Sequence, residues 1–397
     1  MFSGRFGSEP GGLNSHWEAK LRLEAAGTPL FDITPSNPTL AGIDYPPGIV
    51  SLLARPEALR YHPNPRGAPD ARRAIAAHAY SRGRAGDPDR LILCASTSEA
   101  YSWLFKLLCE PGEEILVPSP SYPLFDDLAD LEHVTLVRYA LGHRPGNRAY
   151  WEPDFAALRN LISTRSKALI LVNPNNPTGH VLDQAAIDGY LALAEAYGLA
   201  LIVDEVFSEY ILQAETRCAP VRSQGPLVFT LNGFSKMLGL PQMKLAWIQV
   251  EGRPDRVESA LDHLEFIADA FLSVNTPVQA AAADLLAQRE PIQASIRARL
   301  HANLKASWEW TVGSRTQLYS ANHPEAGWYL LLHVSTPLEA EVFAQDLLER
   351  FHVHTHPGTL FGLGKEWPLV ASLLTPETVF REGLRRIALW TEERTDA

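Results

Sequence analysis

A mostly parallel α/β sheet with a smaller second domain is the fold this 397-residue sequence predicts, on three observations. Seven short runs are apolar on both faces: LILCA (Leu91 to Ala95), EILVP (Glu114 to Pro118), VTLVRY (Val134 to Tyr139), ALILVN (Ala168 to Asn173), LALIVDEV (Leu199 to Val206), LVFTL (Leu227 to Leu231) and LAWIQV (Leu245 to Val250). Strands without a polar face are buried on both sides, as in parallel sheets. Several are separated by helix-like stretches such as SEAYSWLFKLLCE and LDQAAIDGYLALAEAYG, the alternation that builds βαβ units. After about Pro277 the character changes to helical runs (Val278 to Trp310), then short strands in GWYLLLHV, FHVHTH and PLVASLL, and a closing helix near Pro376 to Thr391. The expected division is 1–45 as an arm and part of the small domain, 46–277 as the large domain with a seven-stranded sheet flanked by helices, and 278–397 as a small α+β domain.

The elements before the first strand follow from local signals. Residues up to about Leu13 are Gly-, Ser- and Pro-rich and read as an arm. A helix is expected from His16 to Ala26, then an extended FDITPSNP segment ending in a turn. A short helix is expected near Ile49 to Leu53, and a longer one opens at Ala68-Pro69 or Asp70 and is filled by Ala and Arg.

Composition narrows the function classes. A net charge of −11 argues against a nucleic-acid partner, which calls for a basic face. Cys94, Cys109 and Cys218 form no CxxC arrangement and read as reduced thiols. No apolar run is long enough to span a bilayer, and the first residues lack the apolar core of a signal peptide, so the expected location is cytoplasmic.

In parallel sheets ligands bind beyond the carboxyl ends of the strands. Three successive strands end in chemically loaded turns: NPNNPTG (Asn173 to Gly179), Asp204-Glu205-Val206-Phe207, and Ser235-Lys236. A lysine there is ordinarily solvated, but burial or a cationic neighbour lowers its pKa and lets it form a Schiff base. An acid at the end of an apolar strand needs a cation, and a protonated ring nitrogen would serve Asp204. The Asn176 amide can bond a phenolate oxygen. The helix start at Ser96-Thr97-Ser98 offers free N–H groups to a phosphate, and Tyr122 can stack on a ring. These are the parts that hold pyridoxal phosphate.

The chain resembles fold-type I pyridoxal-phosphate enzymes, specifically class I/II aminotransferases, from about Phe31 to Ile387. The motifs are NPNNPTG, DEVFSEY, GFSKMLGLPQMKLAW, PGEEILVPSPSYP, YHPNPRG and HPGTLFG. The resemblance implies that Lys236 is the Schiff-base lysine and proton shuttle, Asp204 pairs with the pyridine nitrogen, and Asn176 bonds the phenolic oxygen. It implies that Tyr122 stacks on the ring, that Thr97, Ser98 and Ser235 grip the phosphate, and that Tyr61 reaches the phosphate of a neighbouring subunit. A homodimer with shared active sites follows, using an amino donor and a keto acid, with no nucleic acid and no membrane.

This sequence also departs from the resemblance. Phe207 stands where tyrosine is usual, which removes one hydrogen bond to the phenolic oxygen. Gly233 replaces a serine, and Lys244 an arginine, keeping charge without the bidentate fork. Val370 falls where an arginine usually binds the substrate carboxylate. Asn37 occupies a position often held by glycine. Arg381, Arg385 and Arg386 sit on the last helix and read as a solvated face. His352, His354 and His356 alternate, which would put them on one strand face. Packing is the plain reading, a metal site the sharper one, and His356 is a candidate substrate contact.

An aminotransferase is the leading expectation. The alternative is a lyase or decarboxylase on the same cofactor, which the missing arginine makes substantive. A non-catalytic sensor resembling the aminotransferase-like half of some transcription regulators is a third reading, disfavoured by the acidic chain.

Overall fold

The computed structural model describes residues 3, 5, 15–84, 86–143, 151–272, 274–313, 324–365 and 367–395. Most of the expected N-terminal arm lies outside them. Thirteen strands are present among the described residues: β1 (Phe31–Asp32), β2 (Leu91–Cys94), β3 (Glu114–Ser119), β4 (Thr135–His143), β5 (Trp151–Pro153), β6 (Ser166–Val172), β7 (Ala200–Asp204), β8 (Val228–Gly233), β9 (Ala246–Glu251), β10 (Tyr329–Leu332), β11 (Val353–His354), β12 (His356–Pro357) and β13 (Leu369–Ser372).

The large sheet has the order β2-β9-β8-β7-β6-β3-β4-β5. All seven expected strands are in it, and the count of seven is corrected to eight. The added β5 is three residues long and pairs antiparallel with the end of β4. Its Trp-Glu-Pro sequence is too short to carry a periodic signal. The sheet is mixed: β9 runs antiparallel to both β2 and β8, because only the short turn at Phe234–Lys244 joins β8 to β9 and no crossover helix intervenes. From β8 through β7, β6 and β3 to β4 the pairing is parallel.

Both faces of this sheet are covered. Ile92, Ile170, Ile202 and Ile248 pack under the helices Thr97–Leu108 and Pro254–Phe271. Leu116, Leu169, Leu171 and Leu201 pack under the helix Gln184–Tyr197. That helix starts on Asp183, whose carboxylate accepts from Ala186 N, and ends at Gly198, whose φ of 66° suits a residue without Cβ. The helix Pro69–Ser81 begins with proline at its first turn, where a missing N–H costs nothing.

The C-terminal elements form smaller sheets. β13 lies between β10 and β12, antiparallel to both. β1 pairs with β11, so the chain's first strand belongs with its last elements. The helical run after Pro277 is three helices, Thr276–Ala280, Ala282–Ala287 and Arg289–Gly313, and the closing helix is Glu377–Thr395.

The alternating histidines do not share one strand face. His352 ends the helix Ala340–Phe351 with φ 59°, His354 lies in β11, and His356 lies in β12 of another sheet. His354 stacks on His16 with ring centroids 5.0 Å apart. Among the described residues no group of three or more His, Cys, Asp or Glu gathers that could hold a metal ion. No helix there is long and apolar enough to cross a membrane.

Candidate active site

Three adjacent parallel strands, β6, β7 and β8, run in register and end on the same side of the sheet. Asn176 follows β6, Asp204 ends β7, and Lys236 follows β8. This juxtaposition comes from strand order, since the three residues are far apart in the chain.

Asp204 is buried in the sheet. Val206 N–H donates to its Oδ1 at 3.1 Å, and the Tyr101 hydroxyl donates to its Oδ2 at 3.0 Å. Burial pushes its carboxyl up to about 6, although both hydrogen bonds and the Lys236 charge pull the other way. Such an acid is poised to gain from a cationic hydrogen-bond donor.

Lys236 sits in a one-turn helix, Phe234–Met237, braced from behind by the Tyr210 hydroxyl, which donates to Lys236 O at 2.7 Å. Its Nζ lies 5.1 Å from the centre of the Trp328 ring and 5.8 Å from that of Phe207. Burial lowers its ammonium to about 8, against the opposing pull of Asp204. A lysine in this range has a substantial neutral fraction near pH 7–8, the form that attacks carbonyls.

The Asn176 amide is buried, and its Oδ1 has no partner among the described residues. The donor end of this amide, Nδ2, is the atom that could bond a phenolate oxygen. Tyr122 is 40% exposed and meets Phe125 edge-on, with ring centroids 6.0 Å apart. Burial raises its hydroxyl, with smaller contributions from Tyr329 and Asp204.

At the start of the helix Thr97–Leu108, Ser96 Oγ accepts from Glu99 N at 3.1 Å, and Glu99 Oε2 accepts from Ala95 N at 2.5 Å. Thr97 and Ser98 occupy the first helical turn, half-buried, at the positive end of the helix dipole. Ser235 is half-buried beside Lys236. Lys244 is exposed, adopts a left-handed φ of 53°, and pairs with no carboxylate among the described residues. Tyr61 is exposed and lies outside this cluster.

The departures have physical accounts. At Gly233 an added Cβ would come 2.8 Å from Ala246 Cβ and 3.0 Å from Leu245 O, so the β8–β9 pairing leaves no room for serine. Phe207 is buried edge-on against Trp328, with ring centroids 5.4 Å apart, so a hydroxyl is replaced by aromatic packing. Val370 is fully buried in β13 opposite Leu331 and His356. Arg381, Arg385 and Arg386 are engaged with Glu309, Glu377 and Glu382 on helix surfaces. Asn37 Oδ1 is taken by Thr39, which donates through its N–H and hydroxyl at 3.1 and 2.7 Å.

Sequence reasoning missed Tyr101 and Trp328. Tyr101 hides among the apolar residues of its helix, Ala100, Trp103 and Leu104, and nothing in its spacing marks a polar contact. Trp328 precedes a β-strand as an ordinary aromatic would.

Fold and residues together define the class: an α/β protein with a desolvated lysine, a buried acid and a buried amide at the carboxyl ends of three adjacent strands. The chain belongs to the aminotransferase class I and II family, whose model matches residues 34–381. It is 30% identical over 269 residues to the alanine aminotransferase of Mycobacterium bovis, covering 66% of this chain and 61% of that protein. The chain thus matches a little under two thirds of that relative's length. It is 28% identical to the glutamate-pyruvate aminotransferase AlaA of Escherichia coli K12, covering 74% and 72% of the two chains. It is also 28% identical to the arginine–pyruvate transaminase AruH of Pseudomonas aeruginosa, covering 95% and 94%. The fold matches a solved alanine aminotransferase from Pyrococcus furiosus with a TM-score of 0.88 at 24% identity, covering 99% and 100%.

The cofactor of this family is pyridoxal 5′-phosphate. The residues present fit it: a lysine with a lowered pKa, a buried acid for a ring nitrogen, a buried amide whose Nδ2 can donate to the phenolic oxygen, and a helix start flanked by hydroxyls.

Proposed function

We propose that this protein is a pyridoxal-phosphate-dependent aminotransferase, moving an amino group between an amino acid or related amine and a keto acid. The carrying observation is the convergence of Lys236, Asp204 and the buried Asn176 amide at the ends of three adjacent strands. When bound, the cofactor supplies the electron sink for the substrate Cα–H bond. The chain's own residues do the rest. Lys236 Nζ, neutral in part at pH 8, would take the proton from the substrate Cα and later give it back. Asp204 would keep the ring nitrogen protonated, and its bonds from Val206 and Tyr101 fix its orientation. Asn176 orients the phenolic oxygen. Thr97, Ser98, Ser235 and Lys244 hold the phosphate, with Tyr122 against the ring. Phe207 and Trp328 exclude water from Nζ.

Lyase or decarboxylase chemistry is the second reading, and one observation favours it: a buried valine, Val370, stands at the position where the resemblance expects a carboxylate-binding arginine. A panel of amino acids and amines decides between them, read by the cofactor's visible absorption. A transaminase loses the band on mixing with a donor alone and regains it with a keto acid. A lyase or decarboxylase releases product with the band retained.

The proposed assembly is a homodimer in which Tyr61 of each protomer completes the partner's phosphate site. Exposed Leu59, Tyr61, Phe266 and Leu272 support an apolar interface. The proposed location is the cytoplasm, and no nucleic acid or membrane enters the proposal.

A further inference from the structure

The turn that carries Asn176 is gripped by a segment of chain far downstream. Within the turn, Asn175 Oδ1 accepts from the Thr178 hydroxyl at 2.8 Å, Gly179 N donates to Asn175 O at 2.9 Å, and Asn175 N donates to His180 O at 2.8 Å. These bonds close the turn on itself. The outer grip comes from residues 324–326. Glu325 N and Ala326 N both donate to Gly179 O at 3.0 Å. A Cβ built on Gly179 would lie 2.5 Å from Ala326 O and from Pro324 Cβ, so the two stretches of chain are in direct contact. The Glu325 carboxylate adds the side-chain part. Its Oε2 accepts from Val181 N at 3.0 Å and meets His180 Nδ1 at 3.0 Å, and its Oε1 accepts from the Thr216 hydroxyl at 3.4 Å. Burial alone would raise this carboxyl, yet the bonds from His180 and Val181 hold it below the usual range. It is therefore a charged acceptor at neutral pH, and bonds to charged acceptors are the strong ones.

The same segment continues to Lys236. Glu325 O accepts from Leu212 N at 2.8 Å, Ala326 bridges antiparallel to Ile211, and Gly327 N donates to Tyr210 O at 2.9 Å. Tyr210 is the residue whose hydroxyl braces Lys236 O. The centre of the Trp328 ring lies 5.1 Å from that of Tyr210 and 5.1 Å from Lys236 Nζ. Four consecutive residues, 325–328, thus touch the Asn176 turn at one end and the surroundings of the lysine at the other.

We propose that Glu325 is a positioning residue for the cofactor site: its carboxylate clamps the Asn176 turn to the strand that walls Lys236, and so keeps the Asn176 amide within hydrogen-bond distance of the cofactor's phenolic oxygen. The inference rests on the reading of Asn176 given above. A hydrogen bond weakens steeply as its geometry loosens, so a turn released at 180–181 would be felt at Asn176.

The test follows the pH at which the visible band of the full-length holoenzyme changes, with urea unfolding of the same variants alongside. A donor on the phenolic oxygen favours its charged form and lowers this midpoint. Asn176→Ala should raise it by about one pH unit or more, as expected for a lost hydrogen bond to a charged oxygen. Glu325→Ala should raise it by about half a pH unit, since the bond is loosened rather than lost. Added to Asn176→Ala, it should raise the midpoint no further. Glu325→Gln, which keeps an acceptor for the Val181 N–H, should leave the midpoint nearly in place. The direction is itself diagnostic, because losing a negative charge through space would lower the midpoint instead. A fall in Glu325→Ala, an unmoved midpoint with only a loss of stability, or a full further rise on top of Asn176→Ala overturns the proposal. If Glu325→Ala does not fold, Glu325→Asp decides: its carboxylate, one methylene shorter, no longer reaches Val181 N–H, and an unmoved midpoint overturns the proposal equally. Asn176→Ala separates the two levels. A midpoint unmoved in that variant overturns the Asn176 assignment and this inference with it, whereas a midpoint that rises there but not in Glu325→Ala overturns the clamp alone.

Discussion

Replacing Asp204 with asparagine should make the apoprotein more stable at neutral pH while removing most of its affinity for cofactor. The carboxyl is 7% exposed and burial raises it from 3.8 to about 6. At about 1.4 kcal/mol per unit, a rise of roughly two units is a penalty of about 3 kcal/mol on the folded state once the group is ionised. Asparagine removes the charge but keeps one acceptor oxygen, so either the Val206 N–H or the Tyr101 hydroxyl loses its partner, at about 1–2 kcal/mol. The net gain at pH 7 is then about 1–2 kcal/mol. The sign follows from proton binding: between pH 4 and 6 the folded protein holds a proton that the unfolded chain has released. The wild-type penalty is therefore complete above pH 6 and disappears as pH falls towards 4. Urea unfolding of both apoproteins, at equal concentration and at pH 7 and 4.5, measures the difference. A variant less stable than wild type at pH 7, or a difference that does not shrink at pH 4.5, would refute the reasoning.

Other outcomes follow from the same geometry. Tyr101→Phe removes a hydrogen bond to a buried charge, and equilibrium titration should find cofactor affinity lower by about tenfold or more, the equivalent of 1.5–3 kcal/mol. Gly233→Ser, although it restores the residue expected by resemblance, should lower stability by about 1–3 kcal/mol in denaturant, because its Cβ meets Ala246 and Leu245. Phe207→Tyr should lower the pH at which the holoenzyme's visible band changes, by returning a hydrogen bond to the phenolic oxygen. An unchanged or higher midpoint in a spectroscopic titration would count against that role.

The sheet was legible because its strands are apolar on both faces, a pattern that a solvent-facing strand cannot carry. β5 was not, since three residues hold no period, and the reversal of β9 lies in the length of a turn rather than in strand composition. The histidine alternation misled for a related reason: a period of two implies a common face only inside one strand, and His352 belongs to a helix end. At the site, Lys236, Asp204 and Asn176 could be picked out because polar residues at the ends of apolar strands need a purpose. Tyr101 could not, because a tyrosine on an apolar helix face looks like core until its hydroxyl's partner is known. The NPNNPTG turn was visible as a motif, but Glu325 lies more than a hundred residues downstream and only the fold joins the two.

If the reading of the site is right, Lys236 is the residue joined covalently to the cofactor. Reduction of the holoenzyme with borohydride, followed by proteolysis and mass spectrometry, tests it most directly. A pyridoxyl label is expected on the peptide carrying Lys236, absent from Lys236→Ala, with Lys244 unlabelled. A label on Lys244 or elsewhere, or an unlabelled Lys236 in protein that has bound cofactor, would contradict it.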